Sequence, residues 1–556
     1  MALPTAASAP AAPLRFGIQC ESAMLTGFVF ACVREVADLA TPAALISETG
    51  EVAPAIEAAF RSLPRLAAGD PQLAGYGLDF ILNCSFRPRR GETGTAARFG
   101  TWAFHSGDQG QYSGAPPGLW EIHRGDPVTG VCLRGGEGGG FVLAQMCVPT
   151  EGRSQRANQR RILDASPTML RWACLDVLNG GTADWQPAPT AVAGMDRPRG
   201  ARNKLRCWGR MGASWLRYKL ANQCIDEWNV GWIRASPEAF LDPEFRPDVQ
   251  WSGYREKGQM IADPFLAPAA QGVRILCEEF SWHAGSGRIL EMQAAADGSL
   301  SLGVPAIDEP VHMSFPYVLE YNGTLYCMPE CAQRRGIPLY RWDGGSASWQ
   351  EAGWVMRDVP AVDATVFEAY GSWWLLHSLS LSGGGAGRWS LFVWRSDNPF
   401  GPWQPHERNP VKVDVTSSRP AGRPFWVDGV LYRPAQDGTN GYGGGLAINR
   451  VEALSLREFR ETTVRRIAPQ PDWPYPHGIH TLNGASGMSV IDAKRQCWPA
   501  GLILRRLGYR LAGRTPQRSF QYSGGGFRLV KDLNGPARQQ EGCASARSQS
   551  SSGRVG

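Results

Sequence analysis

Between Ala262 and Asp492 one hydrophobic pattern returns several times: a turn glycine, then a short aromatic or aliphatic strand that ends in polar residues. Aligned on the glycine, the copies read Gly272-VRILCEE, Gly323-TLYCMPE, Gly371-SWWLLHS and Gly429-VLYRPAQ. The glycines are 51, 48 and 58 residues apart, and the seventh residues after them are Glu279, Glu330, Ser378 and Gln436. Such a period marks stacked supersecondary units. Asn322-Gly323 and Asp428-Gly429 supply the positive φ that two-residue hairpin turns require, so each copy centres on a β-hairpin. About 50 residues per copy suit one four-stranded blade. A fifth, weaker copy runs from Gly478 through Gly484 to Asp492. The pattern predicts an all-β, five-bladed β-propeller over residues 226–495, entered through Trp228-Asn229-Val230-Gly231-Trp232.

Ahead of the repeats the period changes. After a lead of residues 1–13, Leu14 to Cys20 reads as a buried strand, Met24 to Leu39 has helical spacing, and Ala43 to Ile46 and Phe80 to Cys84 read as further strands. Alternating strands and helices predict an open, mostly parallel, Rossmann-like α/β domain over residues 14–180, closed by a helical run from Asp164 to Asn179. Such a sheet holds ligands at the carboxyl ends of its strands. No GxGxxG or Walker-type loop follows the first strand, so a nucleotide is not indicated there.

Gly180 to Arg199, rich in Pro, Gly and Ala, reads as a linker within residues 181–225, and Arg197 to Leu220 carries eight Lys and Arg. Leu205, Trp208, Gly212, Trp215, Leu216 and Lys219 share one helical face. Two readings stand: a connector helix that packs its Trp face on a neighbouring domain, or a helix lying on a membrane surface. The basic tail, residues 496–556, allows the same two readings around Leu502 to Arg514, and composition predicts disorder from Gln539 onward.

At 556 residues the chain exceeds a single core, which requires more than one domain. The longest apolar run, Met24 to Val33, is too short to span a bilayer, and the N-terminus lacks the basic start of a secretory signal, which predicts a cytoplasmic protein. Thirteen cysteines are spread singly, against a disulfide framework or a structural zinc site. The net charge of +6 is concentrated in the tail, where ten Lys and Arg face two acids after Gly501. That is not the folded basic face of a nucleic-acid-binding domain.

The strand before each turn glycine opens with a polar residue: Asp263, His312, Asp363 and Arg419, with His480 in the fifth copy. Innermost strands line a propeller's centre, so these side chains are expected to converge. Glycoside chemistry wants two carboxylates and a third that tunes them; Asp263 and Asp363, read as solvated, match the base and the tuning Asp by blade position, and Glu330, then Glu279 and Glu278, at the ends of second strands, are the candidates for the acid. Arg419, Arg433, His312 and His377 add cations or switchable donors, suited to an anionic sugar or a phosphate, and Gln436, Asp437 and His480 complete the expected binding set. The structural alternatives are that Ala262-Asp263-Pro264 is a turn and that Arg419 pairs with Asp437. Trp373, Trp374 and Trp403 read as blade core.

Two resemblances attach to these motifs. Phe99-GTWAFHSGDQGQYSGAPPGLWEIHRGDPVTGV-Cys132, continuing through Gly138 to Ala144, resembles the formyltransferase fold of methionyl-tRNA and sugar N-formyltransferases. It keeps His105, Tyr112, Gly114, Pro117, Trp120, Thr129, Gly130, Gly140 and Leu143 of that pattern. Ala103 stands where the family has Asn, Ser113 where it has Arg, and Gly138 where it has the catalytic Asp, with Asp108 and Glu137 as off-register carboxylates. The resemblance implies His105 as a catalytic group and 10-formyltetrahydrofolate as a cofactor, in a degenerate site. The motifs ADPF (262–265), HMSFPYV (312–318), MPE (328–330), DATVFE (363–368), GPWQPHERNPV (401–411), RPAG (419–422) and LYRPAQD (431–437) resemble the amino-terminal domain of glucosamine inositolphosphorylceramide transferases. That domain is similar to the five-bladed propellers of arabinanase- and fructosidase-like glycoside hydrolases, and bacterial proteins join it to a formyltransferase-like domain.

Three functions fit. The first is a transferase of cell-surface glycan or glycolipid assembly working through the propeller, on a sugar, a nucleotide sugar or a lipid-linked glycan. The second is an amino-sugar N-formyltransferase acting at His105. The third is a non-catalytic glycan-binding scaffold. The basic segments predict weak, peripheral association with the inner face of an anionic membrane.

Overall fold

The computed structural model describes residues 12–20, 22–48, 51–86, 96–107, 117–136, 140–188, 201–221, 223–254, 256, 258–269, 272–294, 300–301, 303–380, 386–497, 519–522 and 527–530. Residues 1–499 form one compact unit. In a second unit, residues 500–556, the strands Ser519–Tyr522 and Phe527–Val530 pair antiparallel. Tyr112, Ser113, Gly114, Asp108, Glu137, Gly138, the segment Leu502 to Arg514 and the chain after Gln539 lie outside the described residues.

The first unit opens with an eight-stranded sheet built from β1 (Leu14–Gln19), β2 (Ala40–Ser47), β3 (Arg65–Ala67), β4 (Phe80–Asn83), β5 (Thr101–Ser106), β6 (Val128–Gly135), β7 (Phe141–Pro149) and β8 (Gln186–Pro187). Its order is β3-β2-β1-β4-β5-β6-β7-β8. Pairing is parallel from β3 to β5 and antiparallel from β5 to β8. The strand runs read from the sequence are β1, β2 and β4, and helix α1 (Thr26–Glu35) lies within the predicted helical stretch. Buried on both faces, β1 and β4 are near-continuous apolar runs, and a ladder of rings ties the middle strands: Phe16 stacks on Phe80 at 5.1 Å and Phe80 on Trp102 at 3.9 Å. Helices α2 (Pro54–Ala59), α3 (Leu119–Arg124), α4 (Gln155–Ala165) and α5 (Pro167–Leu178) complete this part. The expected linker begins inside the fold, because β8 pairs with β7.

Helix α6 (Ala201–Ala221) leads into five antiparallel sheets, which are the blades of a propeller. Blade 1 is β11 (Gln259–Pro268), β12 (Val273–Ser281), β13 (Ser286–Ala294) and β14 (Val304–Ile307); blade 2 is β15 (Ser314–Tyr321), β16 (Thr324–Glu330), β17 (Gly336–Asp343) and β18 (Ser348–Arg357). Blade 3 is β19 (Ala361–Ala369), β20 (Ser372–Leu379), β21 (Ser390–Ser396) and β22 (Gln404–Pro405), with β23 (Lys412–Val413) also on β21; blade 4 is β24 (Phe425–Val427), β25 (Val430–Asp437), β26 (Gly445–Leu454) and β27 (Phe459–Ile467). Blade 5 is composite: β28 (Leu482–Ala485) and β29 (Met488–Cys497) from the end of the repeat region join β9 (Ile225–Ile233) and β10 (Gln250–Trp251) from its start. Nine residue pairs from Ser489↔Ile233 to Cys497↔Ile225 close the ring.

The hairpin turns follow the glycines. Asn322 (φ 49°) with Gly323 (φ 71°), Tyr370 (53°) with Gly371 (72°) and Asp428 (49°) with Gly429 (76°) all place two residues at positive φ, as a right-twisted hairpin demands. The fifth hairpin turns at Ser486 (53°) and Gly487 (74°), not at Gly478 or Gly484; Gly478 instead bridges to Lys494. The segment carrying GPWQPHERNPV docks the propeller on the first sheet. Trp172 Nε1 donates to the carbonyls of Arg408 (3.1 Å) and Pro410 (2.8 Å), Arg408 Nη1 lies 2.6 Å from Asp176 Oδ1, and Val415 N–H donates to Cys147 O at 3.0 Å.

Candidate functional site

Each of the first three inner strands carries a β-bulge at the same place, between Ala262 and Phe265, Ser314 and Tyr317, and Val362 and Thr365. A bulge re-aims one side chain and strains its backbone. The bulged residues are Asp263 (φ 52°), Phe315 (φ 43°) and Asp363 (φ 53°). Asp tolerates this left-handed region better than most residues, which suits the first and third blades. In the second blade the counterpart is Phe315, so the expected phase of His312 is corrected: it precedes β15. There its Nδ1 accepts Gly287 N–H at 2.9 Å and lies 3.8 Å from Glu278 Oε1, while desolvation holds the ring down to about 4 and therefore neutral.

Register also changes which glutamate matters. Ser314 pairs with Glu330 and Val362 with Ser378, but Ala262 pairs with Glu278, not Glu279. The first hairpin connects Pro268 to Val273, a longer turn than the two-residue turns of blades 2 and 3, so counting from Gly272 overshoots by one. Glu279 is buried on structural duty: it accepts Tyr254 Oη (2.6 Å) and Arg288 Nε (2.6 Å).

Where the blades meet, the acids form a chain of inter-blade contacts. Asp492 Oδ2 of blade 5 accepts Asp263 N–H of blade 1 at 2.9 Å. Asp263 Oδ2 accepts Phe315 N–H of blade 2 at 3.2 Å. Glu330 Oε2 of blade 2 accepts Asp363 N–H of blade 3 at 3.1 Å. Asp363 then receives Arg419 Nη2 (3.2 Å) and Nε, together with Gln436 Nε2 (3.0 Å), all preceding or within blade 4. Tyr442, between β25 and β26, meets His480 Nε2 at 3.1 Å and returns the chain to blade 5. His480 lies between two carboxylates, with Nδ1 2.7 Å from Asp492 Oδ2 and Nε2 3.3 Å from Asp263 Oδ1, and Thr481 Oγ1 donates to Asp263 Oδ1 at 3.0 Å. The His480 and Thr481 N–H groups both donate to Asp492 Oδ1 at 3.0 Å, and Trp228 covers the ring at 4.1 Å.

The expectation of solvated carboxylates is therefore corrected: Asp263 is 5% and Asp363 2% exposed. Burial, reinforced by Asp492 and Asp363 and opposed by His480, lifts Asp263 to about 6. Burial and the Asp363 charge lift Glu330 to about 8 against the pull of Arg419. Glu278, buried beside Asp263 and Glu330, is raised well above the carboxylate range. Burial opposes charge on His480 and Asp492 as well, yet their mutual attraction raises the imidazole and lowers the carboxyl. Asp263, His480 and Asp492 also have the spacing of a metal-ligand group, but their facing atoms already engage one another as an ion-paired triad.

Other expected residues lie elsewhere. Arg433, 1% exposed, is held by Glu461 at 2.9 and 2.6 Å and by the carbonyls of Ser417 and Ser418, so it is a structural cation and not a substrate contact. Asp437 pairs with Arg466 and caps Thr439, not Arg419. His377 is fully buried, stacked on Phe392 at 5.3 Å, with Nε2 accepting Trp394 Nε1. In the first sheet, His105 pairs with Cys132 across β5 and β6, and burial with Arg134 nearby lowers it to about 4; Ala103 pairs with Arg134. Sequence reasoning missed Asp492, Thr481 and Tyr442 and ranked Glu278 too low. A count of seven from the true turn, Gly487, reaches Lys494, whose Nζ donates to Tyr442 O at 2.6 Å and would have drawn attention to that loop.

The fold and cluster define a five-bladed propeller whose inner ends carry a paired and a protonated set of acids. The family model of glucosamine inositolphosphorylceramide transferase 1, N-terminal, matches residues 249–485, a stretch that holds all of the cluster except Asp492. The chain is 33% identical over 229 residues to glucosamine inositolphosphorylceramide transferase 1 of Arabidopsis thaliana, covering 40% of this chain and 30% of that protein. It is 32% identical over 208 residues to the Oryza sativa subsp. japonica protein of the same name, covering 37% and 28%. The matched stretch thus spans less than a third of these plant relatives. Among solved structures, a thermostable family-43 glycoside hydrolase aligns with a TM-score of 0.32 at 13% identity, over 40% of this chain and 84% of its own. Glycinamide ribonucleotide transformylase 1 from Symbiobacterium toebii aligns with a TM-score of 0.26 at 19% identity, over 30% and 89%.

Proposed function

We propose that this protein acts on a sugar of cell-surface glycan or glycolipid assembly, with its chemistry where the propeller blades meet. One observation carries the reading: in a single cluster burial and the Asp363 charge raise Glu330 furthest, while His480 against Asp263 restrains the rise there, so the two carboxyls differ in their hold on a proton. Breaking or transferring a glycosidic or glycosyl-phosphate bond calls for that division, a proton donor for the departing oxygen beside an ionised partner. Glu330 is the donor; its Oε2 is fixed by Asp363 N–H, and the residue is half-buried. Asp363, clamped by Arg419 and Gln436, positions Glu330 through its own backbone. His480 favours the charge of Asp263, and Asp492, which opposes that charge, fixes the Asp263 backbone by accepting its N–H.

The plant relatives are named for transfer of glucosamine to inositolphosphorylceramide, and they support a glycolipid or sugar substrate class. The test is turnover of a panel of nucleotide sugars and aryl glycosides by the wild type and Glu330→Gln. The variant should keep its fold and its sugar affinity and lose turnover by about 10²–10⁴-fold, the usual contribution of a positioned general acid. Full turnover by Glu330→Gln removes the acid from this role; binding without turnover by the wild type leaves a glycan-binding scaffold.

Formyl transfer is the second reading, favoured by the parallel β3-β2-β1-β4-β5 order, which sets His105 near the carboxyl end of β5. A half-buried, neutral His105, two residues beyond Ala103, supplies one of the groups that the reaction needs. Turnover of 10-formyltetrahydrofolate with an amino sugar, lost in His105→Ala, would move the chemistry to this sheet.

A further inference from the structure

We propose that α6 is a docking face for an anionic lipid bilayer. This goes beyond the sugar chemistry proposed for the propeller and is independent of it.

The helix has 21 residues, among them Arg202, Lys204, Arg206, Arg210, Arg217 and Lys219, and no acid. One stripe holds it to the protein. Cys207 is buried, the Arg210 guanidinium lies over Gly125, Ser214 sits against Gly152, and Tyr218 lies under the Arg153 guanidinium at 3.8 Å. These positions repeat at the three-to-four spacing of a single helical face. The opposite side carries the large apolar residues, and the structure leaves them uncovered: Leu205 is 63% exposed, Trp208 65%, Trp215 54%, Leu216 54% and Leu220 47%. This corrects the connector reading, in which the Trp face packs on a neighbour.

At about 100° per residue, Leu205, Trp208, Gly212, Trp215 and Leu216 occupy one continuous arc centred on Gly212. Lys204 borders the arc on one side, Arg206 and Arg217 on the other, and Lys219 Nζ folds over Trp215 at 5.3 Å. An apolar stripe that carries Trp, with Lys and Arg beside it, is the arrangement that sinks into the headgroup–acyl boundary, with the cations reaching anionic headgroups. A second copy of this chain would bring six cations against six. A nucleic acid would meet Leu and Trp where it needs charge. The charge and the apolar arc together select a bilayer. No described helix is long and apolar enough to cross one, so the attachment is superficial.

The experiment uses the full chain with vesicles of phosphatidylglycerol and phosphatidylcholine, and with vesicles of phosphatidylcholine alone. Co-sedimentation should occur with the anionic vesicles and fall at least about tenfold as salt rises well past physiological strength, because screening shortens charge attraction to roughly 8 Å or less. Trp208→Ser with Trp215→Ser, and separately Arg206→Glu with Arg217→Glu, should each abolish it. All four positions are exposed, so melting temperature should not move, and hydrogen exchange in residues 201–221 should slow only when anionic vesicles are present. Equal binding to neutral vesicles, binding that survives both double variants, or no pelleting at low salt overturns the proposal. So does concentration-dependent dimerisation without lipid that the Trp variants remove. Sugar turnover in solution is unchanged by these variants if the propeller reading holds, which separates the two failures.

Discussion

Two of the propeller's buried ionic clusters differ in balance. In blade 4, Glu461 meets Arg433 Nη2 at 2.6 Å and Lys412 Nζ at 2.9 Å, and these cations bring the carboxyl down to about 2 although burial opposes its charge. Where the blades meet, five carboxyls, Asp263, Glu278, Glu330, Asp363 and Asp492, share Arg419 and His480. There the excess anion cannot be neutralised by partners, so protons do it, and Glu278 and Glu330 stay protonated far above the usual range. Balanced buried charge locks a strand pair; unbalanced buried charge stores reactive protons. Perturbed groups that converge in this way are what the proposed sugar chemistry draws on.

The sharpest way to break the contrast is Arg433→Met. It leaves Glu461 buried with Lys412 as its remaining cation, and should cost about 3–5 kcal/mol, read from the urea unfolding midpoint. A loss under about 1 kcal/mol would show the blade 4 cluster to be as loosely held as a surface pair.

Next is Asp492→Asn. Three backbone N–H groups, of Asp263, His480 and Thr481, lose their anionic acceptor, and the His480 cation loses its nearest partner. The expected loss is about 2–3 kcal/mol, with earlier hydrogen exchange at the blade 5 closure. An unchanged melting temperature would make Asp492 a purely chemical residue.

The third effect is spread over pH and is small within any one pH unit. Glu330 has a folded value of about 8 against 4.5 for the free side chain, so between those values the folded state binds the proton that the unfolded state has released. Stability from this group therefore falls as pH rises from 4.5 to about 8, with a slope of at most about 1.4 kcal/mol per pH unit. Glu330→Gln should flatten that decline and make the protein relatively more stable at pH 8 than at pH 5. Glu461, lowered to about 2, behaves oppositely: its contribution is present above 4.5 and lost as pH falls through about 2. Identical pH profiles for the wild type and Glu330→Gln would remove the stored proton from Glu330.

Much of this was legible in the chain. Asn322-Gly323, Gly371 and Asp428-Gly429 stand at their turns because a hairpin's positive φ is a local demand that local residues answer. Asp263, Asp363, Glu330, Arg419, Gln436 and His480 do meet, since the residues at or just before the start of an inner strand and those near the end of the strand paired with it come to the blade junctions. A bulge displaces His312 from the expected phase and a longer turn displaces Glu279, while the fifth turn lies three residues beyond Gly484, at Gly487. A period-two pattern reverses faces at each inserted residue, and nothing local announces the insertion. Arg433 and His377 were taken for ligand groups because type and position along a strand do not reveal a buried partner such as Glu461 or Phe392.

By itself the sequence determined the five-hairpin repeat, the change from helical to strand periodicity and the basic, Trp-bearing stretch that becomes α6, all of them consequences of short-range sterics and hydrophobic period. Tertiary structure alone decided that β9 and β10 close blade 5, that Asp492 stands next to Asp263 across 229 residues, and that Trp208 and Trp215 face outward. The reason is physical: charge state and exposure depend on which distant surfaces meet, and only ring closure brings five separated acids close enough to dictate one another's protons.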